Sequence, residues 1–324
     1  MPLMDGYDVL NEIRKNPDNS DLPIIVITGH DERDERNEIL RKGATNLISK
    51  PIDKSILINR ITTLIERKIL IDQLSQFHDR ISAELSHATS MQRSLIPNKY
   101  EMRQAEKKYC IKLSSHFRPS SELGGDAWFS QHISGTCFGV ILIDFSGHGI
   151  SAALNTFRFQ TIINKMGPCQ NSPAKYIREI NRELSQVLPV GQFCTMLYAK
   201  IDFIKNTLTY SGASAPSPIY GYFSEKQNQL GDGSGLPLGI NADADYEDHV
   251  INFPEGSYFF LYSDALYETK CQDGKTLEIH GVNALVKKHL NLDAKKTLDT
   301  IILGFDELTE PNLSDDLTAV WISR

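Results

Sequence analysis

The sequence has no apolar run long enough to cross a membrane. Its longest nearly uninterrupted stretch, Cys137 to Phe145, is broken by Gly139 and Asp144, far short of the roughly 20 residues a span requires. No basic n-region with an apolar h-region and cleavage site opens the chain, so secretion is not expected. The five cysteines (110, 137, 169, 194 and 271) are odd in number and lack CxxC spacing. That argues against a disulfide framework or a zinc site and suits a reducing cytoplasm. Positive charge is not in excess: 34 basic against 41 acidic side chains leave a formal charge of −7, which disfavours nucleic acid as a partner. There is no internal repeat and no low-complexity segment. What is present is ordinary for a folded protein, with 40% hydrophobic and 23% charged residues in 324. At roughly 150 residues per domain, that length allows about two domains. A cytoplasmic, multi-domain α/β protein is expected.

Three stretches differ in texture. In residues 1–54, Pro23-Ile24-Ile25-Val26-Ile27-Thr28 reads as a short buried parallel strand. A charged helical pattern over 31–42 closes at Gly43, and a second strand, Asn46 to Ser49, leads into Lys50-Pro51. Residues 55–96 contain neither Gly nor Pro. A seam of Leu57, Ile61 and Leu64 continues through Ile71, Leu74, His78, Ile81, Leu85, Ala88, Gln92 and Leu95. It predicts a long helix of coiled-coil character with a stammer at Ile71–Leu74. Self-association through 55–96 is the expectation, against the alternative of one amphipathic helix packed on a neighbouring domain. Pro97 ends the helix.

Residues 100–324 form the largest block. Strand-like runs are Phe138–Asp144, Thr195–Asp202, Thr207–Ser211, Pro218–Phe223, Val250–Phe253, Tyr258–Ser263 and Leu317–Ser323. Helical patterns fill 150–166, 174–188, 281–290 and 294–308, the second opened by the N-cap pair Ser172-Pro173. An α/β sandwich is expected.

The informative feature of this block is where its aspartates fall. Phe138-Gly-Val-Ile-Leu-Ile-Asp144 is an apolar strand ending in a carboxylate, followed by Phe145-Ser-Gly-His148-Gly149 and a helix. Tyr258-Phe-Phe-Leu-Tyr-Ser-Asp264 repeats the plan. Asp315-Asp316 immediately precedes a strand, and Asp126 follows Gly124-Gly125, where missing side chains allow close approach. Strand ends are rigid mounts. Any one such Asp reads most simply as a turn or helix cap, but three strands share the signature. Carboxylates brought together repel and rise in pKa unless a cation neutralises them. Oxygen donors without Cys or paired His point to Mg²⁺ or Mn²⁺. Two such ions about 3.5–4 Å apart would activate water for in-line attack on a phosphoryl group.

Ser121-Glu-Leu-Gly-Gly-Asp126, Asp144-Phe-Ser-Gly-His-Gly149, Ser263-Asp-Ala-Leu-Tyr-Glu268 and Asp315-Asp-Leu-Thr318 stand in the order and approximate spacing of a known family. The block resembles the SpoIIE-like branch of the PPM-type metal-dependent serine/threonine phosphatases. Phe193-Cys-Thr195, Gly235-Leu-Pro-Leu-Gly239 and the entry helix Glu84-Leu85…Gln92-Arg-Ser-Leu-Ile-Pro97 are secondary matches. The resemblance implies a PPM-like α/β sandwich over 100–324. It implies two metal ions, Mn²⁺ or Mg²⁺, held by Asp126, Asp144, the Phe145 carbonyl, Asp264 and Asp315. Asp144 would bridge them, and Asp316 would take an outer or third-metal role. It also implies hydrolysis of phosphoserine or phosphothreonine without a phospho-enzyme. His148 is a candidate general acid whose alternative is to orient its loop. Three departures stand out: Ala127-Trp128-Phe129 after the Gly-Gly-Asp, Ala265 in place of a usual Gly, and Ser211-Gly-Ala-Ser-Ala-Pro216 in place of a His-containing run. None removes an implied ligand.

Met1-Pro-Leu-Met-Asp-Gly6, the strand ending in Thr28, and Lys50-Pro51 resemble the second half of a flavodoxin-like response-regulator receiver. Thr28 and Lys50 match positions that contact the phosphoryl group, and Leu47 stands where an aromatic switch residue is usual. The family's phosphoacceptor Asp precedes the Met-Pro pair, so this fragment is expected not to accept an aspartyl phosphate. The expected organisation is therefore 1–54 partial receiver, 55–97 helical linker and 100–324 phosphatase. Start at an internal Met of a longer protein is favoured over a genuine remnant.

The resemblance implies a phosphorylated STAS-domain anti-sigma-factor antagonist as substrate, and an upstream sensor histidine kinase where a complete receiver exists. Two other readings compete with the enzyme. One is a pseudophosphatase that docks such a partner without turnover. The other is a diguanylate cyclase, suggested by Leu123-Gly-Gly-Asp126 but lacking an acid at Ala127.

Overall fold

The computed structural model describes residues 4–29, 33–147, 149–225, 228–291, 293–311 and 313–324. The chain divides into two compact units, 1–84 and 85–324, and the division falls inside one helix.

The first unit begins with α1 (Gly6–Lys15). Asp5 caps it by accepting from the Tyr7 and Asp8 N–H groups, and Asp8 reaches back to the Asp5 N–H. This reciprocal pairing satisfies amides that a helix start leaves free. Then come β1 (Ile25–Thr28), α2 (Arg33–Arg41) and β2 (Asn46–Ser49). The strands pair in parallel, Ile25 opposite Asn46 and Thr28 opposite Ser49. A small core of Leu10, Ile39, Ala44 and Leu47 holds them. Leu47, where an aromatic switch residue is usual, is thus a core side chain. Among the described residues this unit has two strands, too few to cover both faces of a doubly wound sheet.

Helix α3 (Lys54–Arg93) fills the stretch without Gly or Pro. Most of its side chains face solvent, including Ile58, Ile61, Ile65, Ile69, Leu74 and Phe77, whereas the seam residues Leu64 and Gln92 are buried. Among the described residues, no helix is long and apolar enough to cross a membrane.

Among the described residues, the second unit holds two five-stranded antiparallel sheets packed face to face with helices outside each. Its elements run α4 (Lys99–Tyr109), β3 (Lys112–Arg118), β4 (Asp126–His132), β5 (Cys137–Phe145), α5 (Ile150–Met166), α6 (Pro173–Ser185), β6 (Cys194–Asp202) and β7 (Thr207–Ala213). They continue with β8 (Ile219–Tyr222), β9 (Gln229–Leu230), β10 (His249–Asn252), β11 (Ser257–Tyr262), α7 (Ala265–Glu268), α8 (Glu278–His289), α9 (Ala294–Leu308) and β12 (Leu317–Ser323). One sheet has the order β10-β7-β6-β5-β4, the other β3-β12-β11-β8-β9.

Because both faces of each sheet are covered, β5 from Phe138 to Ile143 and β11 from Tyr258 to Tyr262 are buried without alternation. Val140 and Leu142 of β5 meet Phe259, Leu261, Val320 and Ile322 of the other sheet in the inter-sheet core. Their neighbours Ile141 and Ile143 pack with α5 and α6. Tyr258, Phe260 and Trp321 turn the other way, onto α8 and α9. Besides the short elements α1, β9 and α7, three elements near the site, α4, β3 and β4, have no counterpart in the sequence reading. The helix buries only Ala105 and Tyr109. The two strands lie at sheet edges, where fewer positions need be apolar.

Candidate metal centre

The alternation of β-strands fixes which way each aspartate points. In β4, Asp126 shares the face of Trp128, and in β5, Asp144 shares the face of Val140 and Leu142; all three apolar residues belong to the inter-sheet core. Asp126 and Asp144 are direct cross-strand partners. They sit side by side where β4 begins and β5 ends. In the opposite sheet, Asp264 follows β11 and Asp315-Asp316 precede β12, which pairs antiparallel with β11. All five carboxylates therefore gather at one end of the sandwich.

Burial and mutual repulsion set their electrostatics. Asp126 is 1% exposed. Desolvation pushes its carboxyl well above the usual carboxylate range, and the Asp144 charge adds to this. Asp126 Oδ2 is buried without a hydrogen-bond partner among the described residues. Asp144 is also pushed well up, first by desolvation and then by the charges of Asp264, Asp315 and Asp316. Asp264 rises to about 6 through desolvation and the Asp315 and Glu268 charges, against the Ala265 N–H. A cluster of like charges so placed is unfavourable unless protonated or neutralised.

Asp316 stands apart. It is 1% exposed and accepts three hydrogen bonds. Oδ1 takes the Ser120 N–H (2.7 Å) and hydroxyl (3.0 Å), and Oδ2 takes the Gly125 N–H (2.6 Å). These donors hold the loop that presents Asp126. Asp315 Oδ1 accepts from the Asp316 N–H.

The glycines before Asp126 have no room for a side chain. A Cβ on Gly124 would lie 2.3 Å from Asp316 Oδ2, and one on Gly125 would lie 2.7 Å from the Phe145 carbonyl oxygen. The Gly125 site is thus what lets that carbonyl lie beside the Asp126 loop. The secondary motifs brace the same end. Ser146 and Phe193 exchange hydrogen bonds, Ser146 N–H to the Phe193 carbonyl and Phe193 N–H to Ser146 Oγ. Cys194 and Leu238 form an isolated antiparallel bridge.

Ala265 does not crowd its turn. It is fully buried as the first residue of α7, and Asp264 has ordinary right-handed helical angles, φ −63° and ψ −28°. His148 lies outside the described residues. Residues absent from the sequence reading of the site are Ser120, Tyr267 and Glu268. The Tyr267 hydroxyl is pushed up by burial and by the Glu268 and Asp264 charges, and both residues line an open cleft of about 570 Å³. The motif Ser263–Glu268 contained these last two, and the carboxyl of Glu268 was the available signal.

The donor chemistry fits hard divalent cations: all oxygen, clustered, and including one buried carboxylate oxygen with no other partner. Among the described residues, however, no three His, Cys, Asp or Glu side chains are gathered closely enough to enclose a metal ion as they stand.

The model of the Stage II sporulation protein E (SpoIIE) family matches residues 134–324. The chain belongs to the SpoIIE family. The response regulator receiver domain matches residues 1–62, so the SpoIIE region follows a receiver segment. Phosphoserine phosphatase RsbU of Bacillus subtilis is 24% identical over 253 residues, covering 78% of this chain and 73% of RsbU. Phosphoserine phosphatase RsbP of the same organism is 26% identical over 162 residues, 49% of this chain and 40% of RsbP. Among solved structures, the SiaA-PP2C domain of Pseudomonas aeruginosa superposes with a TM-score of 0.67 at 18% identity, covering 77% of this chain and 98% of that domain. The fold is that of the PP2C, or PPM, phosphatases, a metal-dependent class, and this SpoIIE-family chain is a serine phosphatase of the RsbU type.

Proposed function

We propose that the 85–324 unit removes phosphate from a phosphoserine on a protein partner in partner-switching signalling, and that it does so in the cytoplasm. The observation that carries this reading is the buried Asp126–Asp144 pair, with Asp126 Oδ2 unpartnered at the sandwich end where Asp264 and Asp315 also lie. In this reading Asp126, Asp144, Asp264, Asp315 and the Phe145 carbonyl hold two divalent cations, Mn²⁺ or Mg²⁺. Asp144, which feels the charges of Asp264, Asp315 and Asp316, would be among the residues that hold them. When bound, such ions supply a water that ionises near neutral pH and offset charge on the phosphoryl oxygens.

The chain's own residues do the rest. Asp316 accepts from Ser120 and Gly125 and so fixes the loop before Asp126. It is assigned here a positioning role rather than a place among the ligands. The inter-sheet core lies on the strand faces that carry Asp126 and Asp144, and Tyr267 and Glu268, which follow Asp264, line a separate open cleft with Thr276 and His280. The class of substrate proposed is a phosphorylated STAS-domain antagonist of an anti-sigma factor. A sensor histidine kinase enters only where a complete receiver exists. The bare apolar residues of α3 support self-association through 55–96.

The alternative to turnover is docking of such a partner without hydrolysis. Hydrolysis of p-nitrophenyl phosphate with Mn²⁺, Mg²⁺ or EDTA, alongside Asp144→Ala, separates the two. Metal-dependent turnover lost in the variant supports the phosphatase and warrants assay on a phospho-STAS protein. A folded protein that turns over with neither metal but still binds that partner supports docking.

A further inference from the structure

The last turns of α3 meet the metal-site loop directly. Gln92 is 2% exposed, which is unusual for a neutral amide side chain. Both ends of that amide are used on one residue. Gln92 Nε2 donates to the Gly124 carbonyl at 2.5 Å, and the Gly124 N–H donates to Gln92 Oε1 at 3.2 Å. The side chain thus binds Gly124 as a neighbouring strand would. One turn earlier, the Thr89 hydroxyl lies 2.7 Å from the Glu122 carbonyl and 2.9 Å from the Leu85 carbonyl. At the next residue, Asp316 holds the N–H of Gly125. Consecutive peptide groups at 124 and 125 are therefore held by a helix and a carboxylate, and Asp126 is the next residue.

We propose that Gln92 and Thr89 are positioning residues of the metal centre: through the backbone of residues 122–124 they set where the Asp126 carboxylate stands. The inference rests on the metal-centre reading above. Its physical basis is that partners one bond removed from a ligand fix its orientation, and their loss typically lowers metal affinity about 10–100-fold. Among the described residues, Gln92 partners both the N–H and the carbonyl of Gly124, whose own Cα carries no side chain and where a Cβ would strike Asp316.

The test is calorimetric titration of Mn²⁺ into the full-length chain, comparing wild type with Gln92→Met, Thr89→Val and Asp126→Ala. Methionine keeps the length and packing of Gln92 and removes both hydrogen bonds. Gln92→Met is expected to bind Mn²⁺ roughly tenfold or more weakly. Its p-nitrophenyl phosphate turnover should recover at high Mn²⁺, whereas that of Asp126→Ala should not. Mn²⁺ affinity equal to wild type in Gln92→Met overturns the inference. Should Gln92→Met show no cooperative melt, Thr89→Val decides by the same titration, with a weakened affinity in support and an unchanged one against. Wild type that binds no Mn²⁺ would instead overturn the metal-centre reading itself, and the inference with it.

Discussion

Asp316→Asn distinguishes a carboxylate that holds a loop from one that holds a metal. The change is nearly isosteric, so packing is preserved and only the acceptors differ. In the native protein both oxygens accept, Oδ1 from two Ser120 groups and Oδ2 from the Gly125 N–H. An amide keeps one oxygen and places an NH₂ where the other stood. With the oxygen toward Ser120, the NH₂ faces the Gly125 N–H, donor against donor; the reverse flip is worse, because two donors then lose their acceptor. Hydrogen bonds to a charged acceptor are worth about 1.5–3 kcal/mol each, and an orphaned buried donor costs about 1–3 kcal/mol. Losing one such bond and the charge assistance on the others gives a destabilisation of about 2–4 kcal/mol. At roughly 2–4 °C per kcal/mol for a domain of this size, the melting temperature should fall by roughly 5–15 °C.

The decisive condition is EDTA. A loop-holding role predicts the full drop in Tm with no metal present. A ligand role predicts wild-type Tm in EDTA and a smaller stabilisation by added Mn²⁺, since binding to the native state alone is what raises stability. Calorimetric scans of wild type and variant, each with EDTA and with Mn²⁺, read both. A variant melting within about 2 °C of wild type in EDTA would refute the positioning role assigned to Asp316.

Three further outcomes follow from the geometry. Gly125→Ala should destabilise by about 1–3 kcal/mol and abolish Mn²⁺-dependent turnover, because its Cβ would meet the Phe145 carbonyl at 2.7 Å and that backbone cannot yield cheaply; denaturant melts and p-nitrophenyl phosphate assays check it. Ala265→Gly should leave turnover unchanged and cost about 1 kcal/mol or less, since Ala265 already sits in an unstrained helical turn; a gain in turnover would show that the methyl group crowds the site. For the metal-free protein, Asp126, Asp144 and Asp264 all have folded pKa values above the unfolded value of 3.8. The native state therefore binds more protons than the unfolded state in the window that for Asp264 runs from 3.8 to about 6. Stability is lost as pH rises through that window; Tm in EDTA should fall accordingly, Mn²⁺ should flatten the profile, and Asp144→Ala should raise Tm in EDTA above about pH 6 while eliminating turnover.

The parts of the site that the sequence made legible are those that combine two periodic signals. Asp144 and Asp264 each close an apolar strand, and that strand is apolar on every residue because both of its faces are buried, so the carboxylate stands out against it. Asp126 was legible through the two glycines before it, for which the structure gives a reason: Gly125 approaches the Phe145 carbonyl and Gly124 approaches Asp316. The strand β4 that carries Asp126 was not legible, nor was β3, since edge strands alternate less strictly and β3 is mostly polar. The function of Asp316 was hidden as well. Next to Asp315 it looks like a second copy of the same chemistry, and only the fold shows its oxygens turned to Ser120 and Gly125.

Gln92 shows why the remainder needed three dimensions. In the seam of α3 a glutamine reads as a polar interruption of a coiled-coil face, and by pattern it weakens the case for a helix partner. Its actual partner is a backbone peptide 32 residues away in sequence, and backbone carries no signature that a side-chain pattern can reveal. The same holds for Ser120 and Thr89, whose partners are a carboxylate 196 residues distant and the carbonyl of Glu122. Residues that would touch metal or phosphate are constrained by charge and leave a motif; residues that place them are constrained by distance and leave none. A site such as this one, where unfavourable carboxylates must be held together before any cation arrives, depends on the second group for its geometry as fully as on the first for its chemistry.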